Sequence, residues 1–427
     1  MISPARIIAF SLIERIEERR LNSDDAVNDP EMERLDPRDR HLAAEIIYGV
    51  LRLRAALDWM LAERSSRAWK EIAPKAKIIL RMSLYQLWKL DRIPDHALVN
   101  DAVEMTKREL GTGVSRYING ILRGFTRQRP QDGMFDKAPE YAQVSLPPWL
   151  WARWRKRFGR RIAKEYALSL LSHPRAAFRI GCGASCPSIN TLIQSNIVPG
   201  AFFAGGGECG EGLPAQAYFQ DEASQLIPWL AGPLKPRVSV WDACGAPGGK
   251  SAVFASMPCE GMFLVSSDGN PKRVEHLRNV LRESGAPALV LAADARFSPP
   301  FRFMFDLVCA DVPCSGLGTL RRNPEIKWRI RPEDFKGLAE TQSRILAGVS
   351  THVRPGGLLL YSTCSTEPEE NERVIENFLE THTDFRLQAP ESPVGIERWT
   401  GSDMMARTFP SRRLWDGFFA ALLARKP

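Results

Sequence analysis

The chain predicts an α/β domain in its C-terminal half and an all-helical domain ahead of it. From Pro236 onward, short apolar runs alternate with helical stretches, the pattern of βαβ units and a parallel sheet. Over the first 130 residues apolar positions recur at helical spacing, and no strand-like alternation interrupts them. The later runs also end on aspartates or lead into a glycine-rich turn and two cysteines. In an open α/β sheet, ligands collect at the carboxyl ends of the strands, so these residues would share one rim.

The length of 427 residues implies two or three domains, and a hydrophobic content of 44% is enough to give each a core. The net charge of +8 favours a polyanionic partner. Arg6, Glu14 and Arg15 interrupt the first apolar segment, which argues against a signal peptide. No apolar run reaches the roughly 18 residues of a membrane span. Eight scattered cysteines then read as free thiols in a reducing, cytoplasmic setting. Cys182, Cys186 and Cys209 lack the second tight pair of a zinc site, so no metal is expected.

Ser3-Pro4 starts the first helix, with Ile8, Leu12 and Ile16 along one face; Asp36-Pro37 starts another ahead of Leu42, Ile46, Ile47, Val50 and Leu51. Further stripes run through Ile78–Leu87, Ala102–Met105 and Tyr117–Leu122, and the loop at 129–133 closes a helical domain over 1–133, which is expected to fold alone. A smaller mixed α+β segment follows over 147–235. It opens with Trp149, Trp151 and Trp154 among basic residues, a composition that suits RNA. Trp151, Trp154 and Phe158 nevertheless fall at i, i+3 and i+7, which places the tryptophans in a core. The glycine-rich stretch 205–212 reads as a hairpin loop.

The α/β domain spans 236–427. Its strand-like runs are Val238–Trp241, Met262–Ser266, Ala288–Ala292, Phe305–Ala310 and Gly357–Tyr361, with helical stretches at Lys272–Glu283, Pro332–His352 and Pro368–Leu379. The apolar run at 416–423 suits a late antiparallel strand. The turn Cys244-Gly-Ala-Pro-Gly-Gly-Lys250 follows the first strand. It is neither the dinucleotide fingerprint nor the P-loop, yet its glycines allow close backbone approach to a ligand. Asp268 ends the second run, where a carboxylate can hold ribose hydroxyls; Asp294 follows the third, placed to reach an adenine edge, and Asp311 ends the fourth. Cys314 and Cys364 follow the fourth and fifth runs. A thiolate is the natural nucleophile for an electron-poor ring carbon.

The stretches Asp242-Ala-Cys-Gly-Ala-Pro-Gly-Gly-Lys250, Asp311-Val-Pro-Cys-Ser315 and Ser362-Thr-Cys-Ser365 resemble the motifs of the RNA cytosine-C5 methyltransferases. Arg321-Arg-Asn-Pro-Glu-Ile-Lys-Trp328, Pro368-Glu-Glu-Asn371 and Gln220-Asp-Glu-Ala-Ser224 narrow the resemblance to the bacterial Sun/RsmB group, which modifies 16S ribosomal RNA. Asp36–Glu45, Tyr48–Arg52, Val99–Val103 and Tyr117–Arg123 are similar to its NusB-like RNA-binding domain. Asn323 stands where the group usually has histidine, and Phe178-Arg-Ile-Gly181 replaces the usual Leu-Arg-Val-Asn. No lysine or arginine occurs from Gly181 to Gly200, which weakens any RNA role for that segment.

The resemblance implies a Rossmann-like catalytic domain that takes S-adenosylmethionine on Cys244, Gly245, Ala246, Pro247, Gly248, Gly249 and Lys250 with Asp268, Asp294 and Asp311. It implies Cys364 as the nucleophile and Cys314 as the aid to elimination. Asp311 would hold the cytosine edge, with Lys250 adding positive charge. The implied protein is a monomer acting on an unstacked base of 16S ribosomal RNA, free or in an early small-subunit particle, with neither membrane nor metal. Rival readings are a related enzyme acting on tRNA, a DNA cytosine-C5 methyltransferase, and a non-catalytic NusB-like RNA-binding factor. The second thiol at Cys364 argues against the DNA enzyme, and the retained catalytic positions argue against the non-catalytic factor.

Overall fold

The computed structural model describes all residues except 1, 92, 131–136, 182–191, 205–216, 298, 300, 392–394, 396–398 and 410–414. The readings made for the glycine-rich stretch 205–212, for Cys182, Cys186 and Cys209, and for most of the loop at 129–133 lie outside the described residues. The chain forms two compact units, Met1–His173 with Leu320–Arg329, and Pro174–Thr319 with Ile330–Pro427. The segment read as 147–235 is thus shared, its helix falling in the first unit and its strands in the second.

The main helices of the first unit are α1 (Pro4–Glu17), α2 (Pro37–Arg64), α3 (Pro74–Lys89), α4 (Asp95–Leu110), α5 (Thr112–Arg127) and α6 (Pro148–Ser169). Asp36 caps α2 by accepting the Asp39 amide at 2.9 Å, with Pro37 at the first helical position. Ala43, Ile46, Ile47, Val50, Leu57 and Leu61 then bury one continuous face. Gly49 lets the Tyr85 ring lie on α2, since a Cβ there would stand 2.0 Å from the ring. The buried Arg81 is paired with two carboxylates, donating to Asp58 at 2.6 Å and to Glu17 at 2.7 Å. On α6, Trp151 and Trp154 are buried while Arg155, Arg160 and Arg161 are exposed, so the tryptophans pack inward as their spacing predicts.

The segment Leu320–Arg329 completes this unit. Glu325 accepts the Ser23 hydroxyl at 2.6 Å, and the Trp328 indole donates to the Leu51 carbonyl at 2.7 Å. The Lys327 ammonium, buried at 1% exposure, donates to the carbonyls of Arg52 at 2.9 Å and Ser145 at 2.7 Å. Arg329 donates to Asn22 at 2.6 Å and to the Ile16 carbonyl at 2.7 Å. The run that marks the family resemblance is therefore a structural plug.

In the second unit, β1 (Ala177–Ile180), β2 (Leu192–Gln194), β3 (Ala201–Ala204) and β4 (Ala217–Phe219) form an antiparallel sheet in the order β2-β3-β1-β4. The larger sheet contains β5 (Ser239–Asp242), β6 (Phe263–Asp268), β7 (Leu289–Ala292), β8 (Phe305–Asp311), β9 (Val353–Thr363), β10 (Phe385–Gln388), β11 (Ala406–Arg407) and β12 (Phe419–Arg425). Its path is β10-β12-β9-β8-β5-β6-β7, parallel from β7 to β9, with β12 antiparallel between β9 and β10. This is a Rossmann-like sheet with its last strand inserted in reverse.

Alternation along the strands separates two cores. Val240, Leu307, Cys309, Leu360 and Leu422 pack on one face with Val253 and Phe254 of α7 (Gly249–Ser256). Trp241, Val308, Ala310, Tyr361 and Phe419 pack on the other with Ile345 and Leu346 of α9 (Asp334–Ser350) and Ile375 of α10 (Glu372–Thr381); α8 (Pro271–Glu283) connects β6 to β7. Both faces are covered, which is why the strands read as unbroken apolar runs.

Candidate active site

The strand order reverses between β5 and β8, because β6 and β7 lie on one side of β5 and β8 and β9 on the other. Such a switch point opens a crevice at the carboxyl ends of the strands. The turn from Asp242 to Gly249 sits there. Its backbone is pinned by Ala243 N–H to the Cys309 carbonyl and Gly245 N–H to the Ser267 carbonyl, both at 2.8 Å. Gly245 is required, since a Cβ would stand 2.2 Å from the Ser266 hydroxyl, and Gly248 takes a φ of 122° that only glycine adopts readily.

The turn lines a cavity of about 220 Å³ with Tyr218, Gln220, Asp242 and Asp311. Of the residues expected to hold a cofactor, Cys244, Gly245, Ala246, Pro247, Gly249, Lys250 and Asp311 line it, whereas Gly248, Asp268 and Asp294 do not. Asp268 is buried at the end of β6, where it accepts the Asn270 amide at 2.9 Å and faces Arg273 at 3.3 Å. Asp294 lies against Gly269, the residue after Asp268, and Arg296 at 2.6 Å holds its carboxyl below the usual range. Burial pushes the Cys244 thiol up, leaving it uncharged.

Two buried oxygens beside the turn lack hydrogen-bond partners among the described residues: Asp242 Oδ1 and Gln220 Oε1. The other Asp242 oxygen accepts the Ser251 hydroxyl at 2.5 Å, and burial pushes this carboxyl up to about 7. Orphaned acceptors in a lined cavity call for a ligand rich in donors, such as an ammonium group or ribose hydroxyls. S-adenosylmethionine carries both. Asp242, Gln220 and the turn could hold it, with Asp268 and Asp294 further along the rim.

Beyond Asp311 the second half of the site is built from two loops. Asp311 pairs in register with Ser362, so β8 and β9 end level, and the loops after them bring Cys314 Sγ and Cys364 Sγ to 3.2 Å. Lys250 Nζ stands 2.6 Å from Asp311 Oδ2, and the Ser362 hydroxyl donates to Asp311 Oδ1 at 2.7 Å. Burial opposes the Lys250 charge, but the Asp311 carboxylate outweighs it and the pKa rises. The Cys314 thiol is pushed well up by its hydrogen bond to Cys364, by burial and by the nearby Glu370 carboxylate.

The structure thus gathers Cys314, Cys364, Asp311, Lys250 and the turn at one crevice. Reading the sequence missed Asp242, Gln220 and Glu370 as site residues. The available signals were Asp242's place at the end of its strand, and the positions of Gln220 and Glu370 inside motifs used only to mark the resemblance.

A Rossmann-like sheet with a glycine turn at its switch point is the architecture of a nucleotide-cofactor enzyme. The 16S rRNA methyltransferase RsmB/F family matches residues 232–424, and the NusB family matches residues 3–127. The probable ribosomal RNA small subunit methyltransferase B of Synechocystis sp. is 30% identical, with 100% of both chains covered. That of Bacillus subtilis is 30% identical over 92% of each. The chain belongs to the RsmB family of ribosomal RNA small subunit methyltransferases. Its fold is shared with the crystal structure of PH0851, at a TM-score of 0.77, 23% identity and 99% of each chain. It is also shared with NSun6 from Pyrococcus horikoshii with SFG, at a TM-score of 0.55 and 16% identity over 66% of this chain and 98% of that one. The cofactor is S-adenosylmethionine and the substrate is RNA. Among the described residues no helix is long and apolar enough to cross a membrane.

Proposed function

We propose that the chain methylates C5 of a cytosine in 16S ribosomal RNA through a covalent bond between Cys364 and C6 of the base. The observation that carries this reading is the pair of sulfurs 3.2 Å apart, next to a buried lysine–carboxylate pair and the cofactor-type turn. C5 of cytosine is a poor nucleophile until a group adds at C6. The Cys364 thiolate adds there and turns C5 into an enamine carbon. S-adenosylmethionine supplies an electrophilic methyl group, which C5 takes up. Cys314 assists the elimination in which C5 loses its proton and the C6–sulfur bond breaks, returning the electron pair to Cys364.

The electrostatics favour these roles. The hydrogen bond to Cys364 and burial push the Cys314 thiol up, which suits a proton carrier, and Cys364 lies within reach of the Lys250 charge. Asp311, fixed by Lys250 and Ser362, accepts from the cytosine N3/N4 edge and stabilises the N3-protonated adduct. Asp268 and Asp294 would hold the ribose and adenine of the cofactor from the rim beyond the turn. The NusB-like helices supply RNA affinity, and the likeness to small-subunit ribosomal RNA methyltransferases supports the small-subunit RNA as target.

Denaturing gels after incubation with S-adenosylmethionine and ribosomal RNA test the assignment. Cys314→Ala should methylate and then stall, giving a protein–RNA band that depends on the cofactor. Cys364→Ala should give no band and no turnover. The reverse pattern would exchange the roles of the two cysteines, and no band from either variant would remove the covalent route.

A further inference from the structure

Both cysteine loops are fastened to one buried carboxylate that the chemistry above does not use. Glu370 is 0% exposed and accepts four hydrogen bonds. Oε1 takes the Ser315 amide at 2.7 Å and the Gln342 side-chain amide at 3.1 Å. Oε2 takes the Ser315 hydroxyl at 2.6 Å and the Ser365 hydroxyl at 2.5 Å. The two hydroxyls are themselves 3.1 Å apart. Ser315 follows Cys314 and Ser365 follows Cys364, so a single side chain holds the residue next to each sulfur.

Glu370 is itself held firmly. Its carbonyl accepts the Tyr361 hydroxyl at 2.6 Å. The next residue, Asn371, accepts the Thr363 hydroxyl at 2.6 Å and donates to the Ser365 carbonyl at 3.0 Å. The four donors to Glu370 are all neutral groups, and burial pushes its carboxyl up despite them. Keeping a buried acid here works against stability. A carboxylate nevertheless offers acceptor sites for donors from both loops at once, whereas a glutamine has one accepting oxygen.

We propose that Glu370 is a positioning residue for the cysteine pair, setting the separation of Cys314 and Cys364 by tying together the serines that follow them. This rests on the reading of the two cysteines as one reacting pair. The inference is tested on the full chain with phenylarsine oxide, which bridges two thiols and releases water only when both sulfurs reach one arsenic. Mass spectrometry locates the bridge, and Cys314→Ala gives the single-thiol affinity.

Bridging in the native chain should be stronger than in Cys314→Ala. Glu370→Ala should lose roughly ten- to a hundredfold of that affinity, because the second thiol is no longer at a high effective concentration. Glu370→Gln should fall between the two. Calorimetric affinity for S-adenosylmethionine should stay within about twofold in both variants, and kcat should fall with KM little changed. A general loss of structure would move all of these together. If Glu370→Ala does not fold, Ser315→Ala and Ser365→Ala each remove one tie and should weaken bridging severalfold. Native-like bridging in folded Glu370 variants, or in both serine variants, overturns the proposal, as does a native chain that binds the arsenical no better than Cys314→Ala. Because bridging needs neither cofactor nor RNA, a chain that passes this test but forms no RNA adduct leaves the positioning role standing and removes the cytosine mechanism.

Discussion

Among the described residues each compact unit buries one lysine, and the two are held in opposite ways. Lys250, in the α/β unit, faces the Asp311 carboxylate at 2.6 Å. Lys327, in the helical unit, donates to the carbonyls of Arg52 and Ser145 and lies by the Trp328 ring. Burial disfavours the charge of both. Lys250 is nevertheless shifted up by its carboxylate partner, while Lys327 is pushed well below the usual lysine value. Carbonyl dipoles satisfy hydrogen-bonding capacity but do not replace a counter-charge. The comparison separates a lysine kept charged beside a carboxylate from one that closes a fold, although both are buried.

The largest effect should come from Lys250→Met. It removes the fixed charge beside Asp311 and Cys364, and turnover should fall by roughly a hundredfold or more, the scale of losing one electrostatic contact in an active site. Thermal melting should move far less, because Asp311 keeps the Ser362 hydrogen bond and is 28% exposed. A variant within a few-fold of native turnover would place Lys250 with Lys327 as a merely structural residue.

Lys327→Ala should act the other way, on stability and not on the cofactor. It leaves two buried carbonyls without a donor, a loss of about 2–4 kcal/mol. Denaturant unfolding should show that loss in the helical unit, with S-adenosylmethionine affinity unchanged. Lys327→Met, which keeps the packing and removes the buried charge, should cost less. A fragment of residues 1–173 should be weakened by the same missing segment, and a peptide of residues 320–329 should raise its melting temperature. A fragment as stable without the peptide would show that the plug is dispensable.

The smallest effect concerns the acid at the cofactor turn. Asp242 titrates at about 7 in the fold against 3.8 as its ordinary value. Between these pH values the folded chain keeps a proton that the unfolded chain has lost. Stability of the cofactor-free protein should therefore fall as pH rises from about 4 to about 7 and level off above. Asp242→Asn should remove this dependence and be more stable than the native chain at pH 8. Calorimetry at several pH values checks it, and parallel profiles for the two proteins would show that the Asp242 carboxyl is not perturbed.

The site was legible where its signals are local. Cys314, Cys364, Asp311 and the turn at 244–250 all follow apolar runs, and a strand end is visible as the place where such a run stops. Asp268 and Asp294 were read in the same way, and the structure places both outside the cavity that the turn lines. Glu370 was not legible, because its role depends on Ser315, 55 residues earlier in the chain. The segment Leu320–Arg329 was read with the α/β domain that surrounds it in sequence. Nothing local announces that Lys327 will find its acceptor on Arg52, 275 residues away.

By itself, then, the amino-acid order determined which stretches become strands and helices, where a glycine must stand, and which reactive side chains close each strand. These depend on backbone sterics and on hydrophobic period, which act over a few residues. Only the tertiary structure decided the strand order, with β12 placed between β9 and β10, the 3.2 Å approach of the two sulfurs, and the plug that the α/β sequence lends to the helical unit. Those outcomes come from pairing and packing between distant segments. They become favourable only when whole faces are buried together, a free energy that no local stretch of sequence contains.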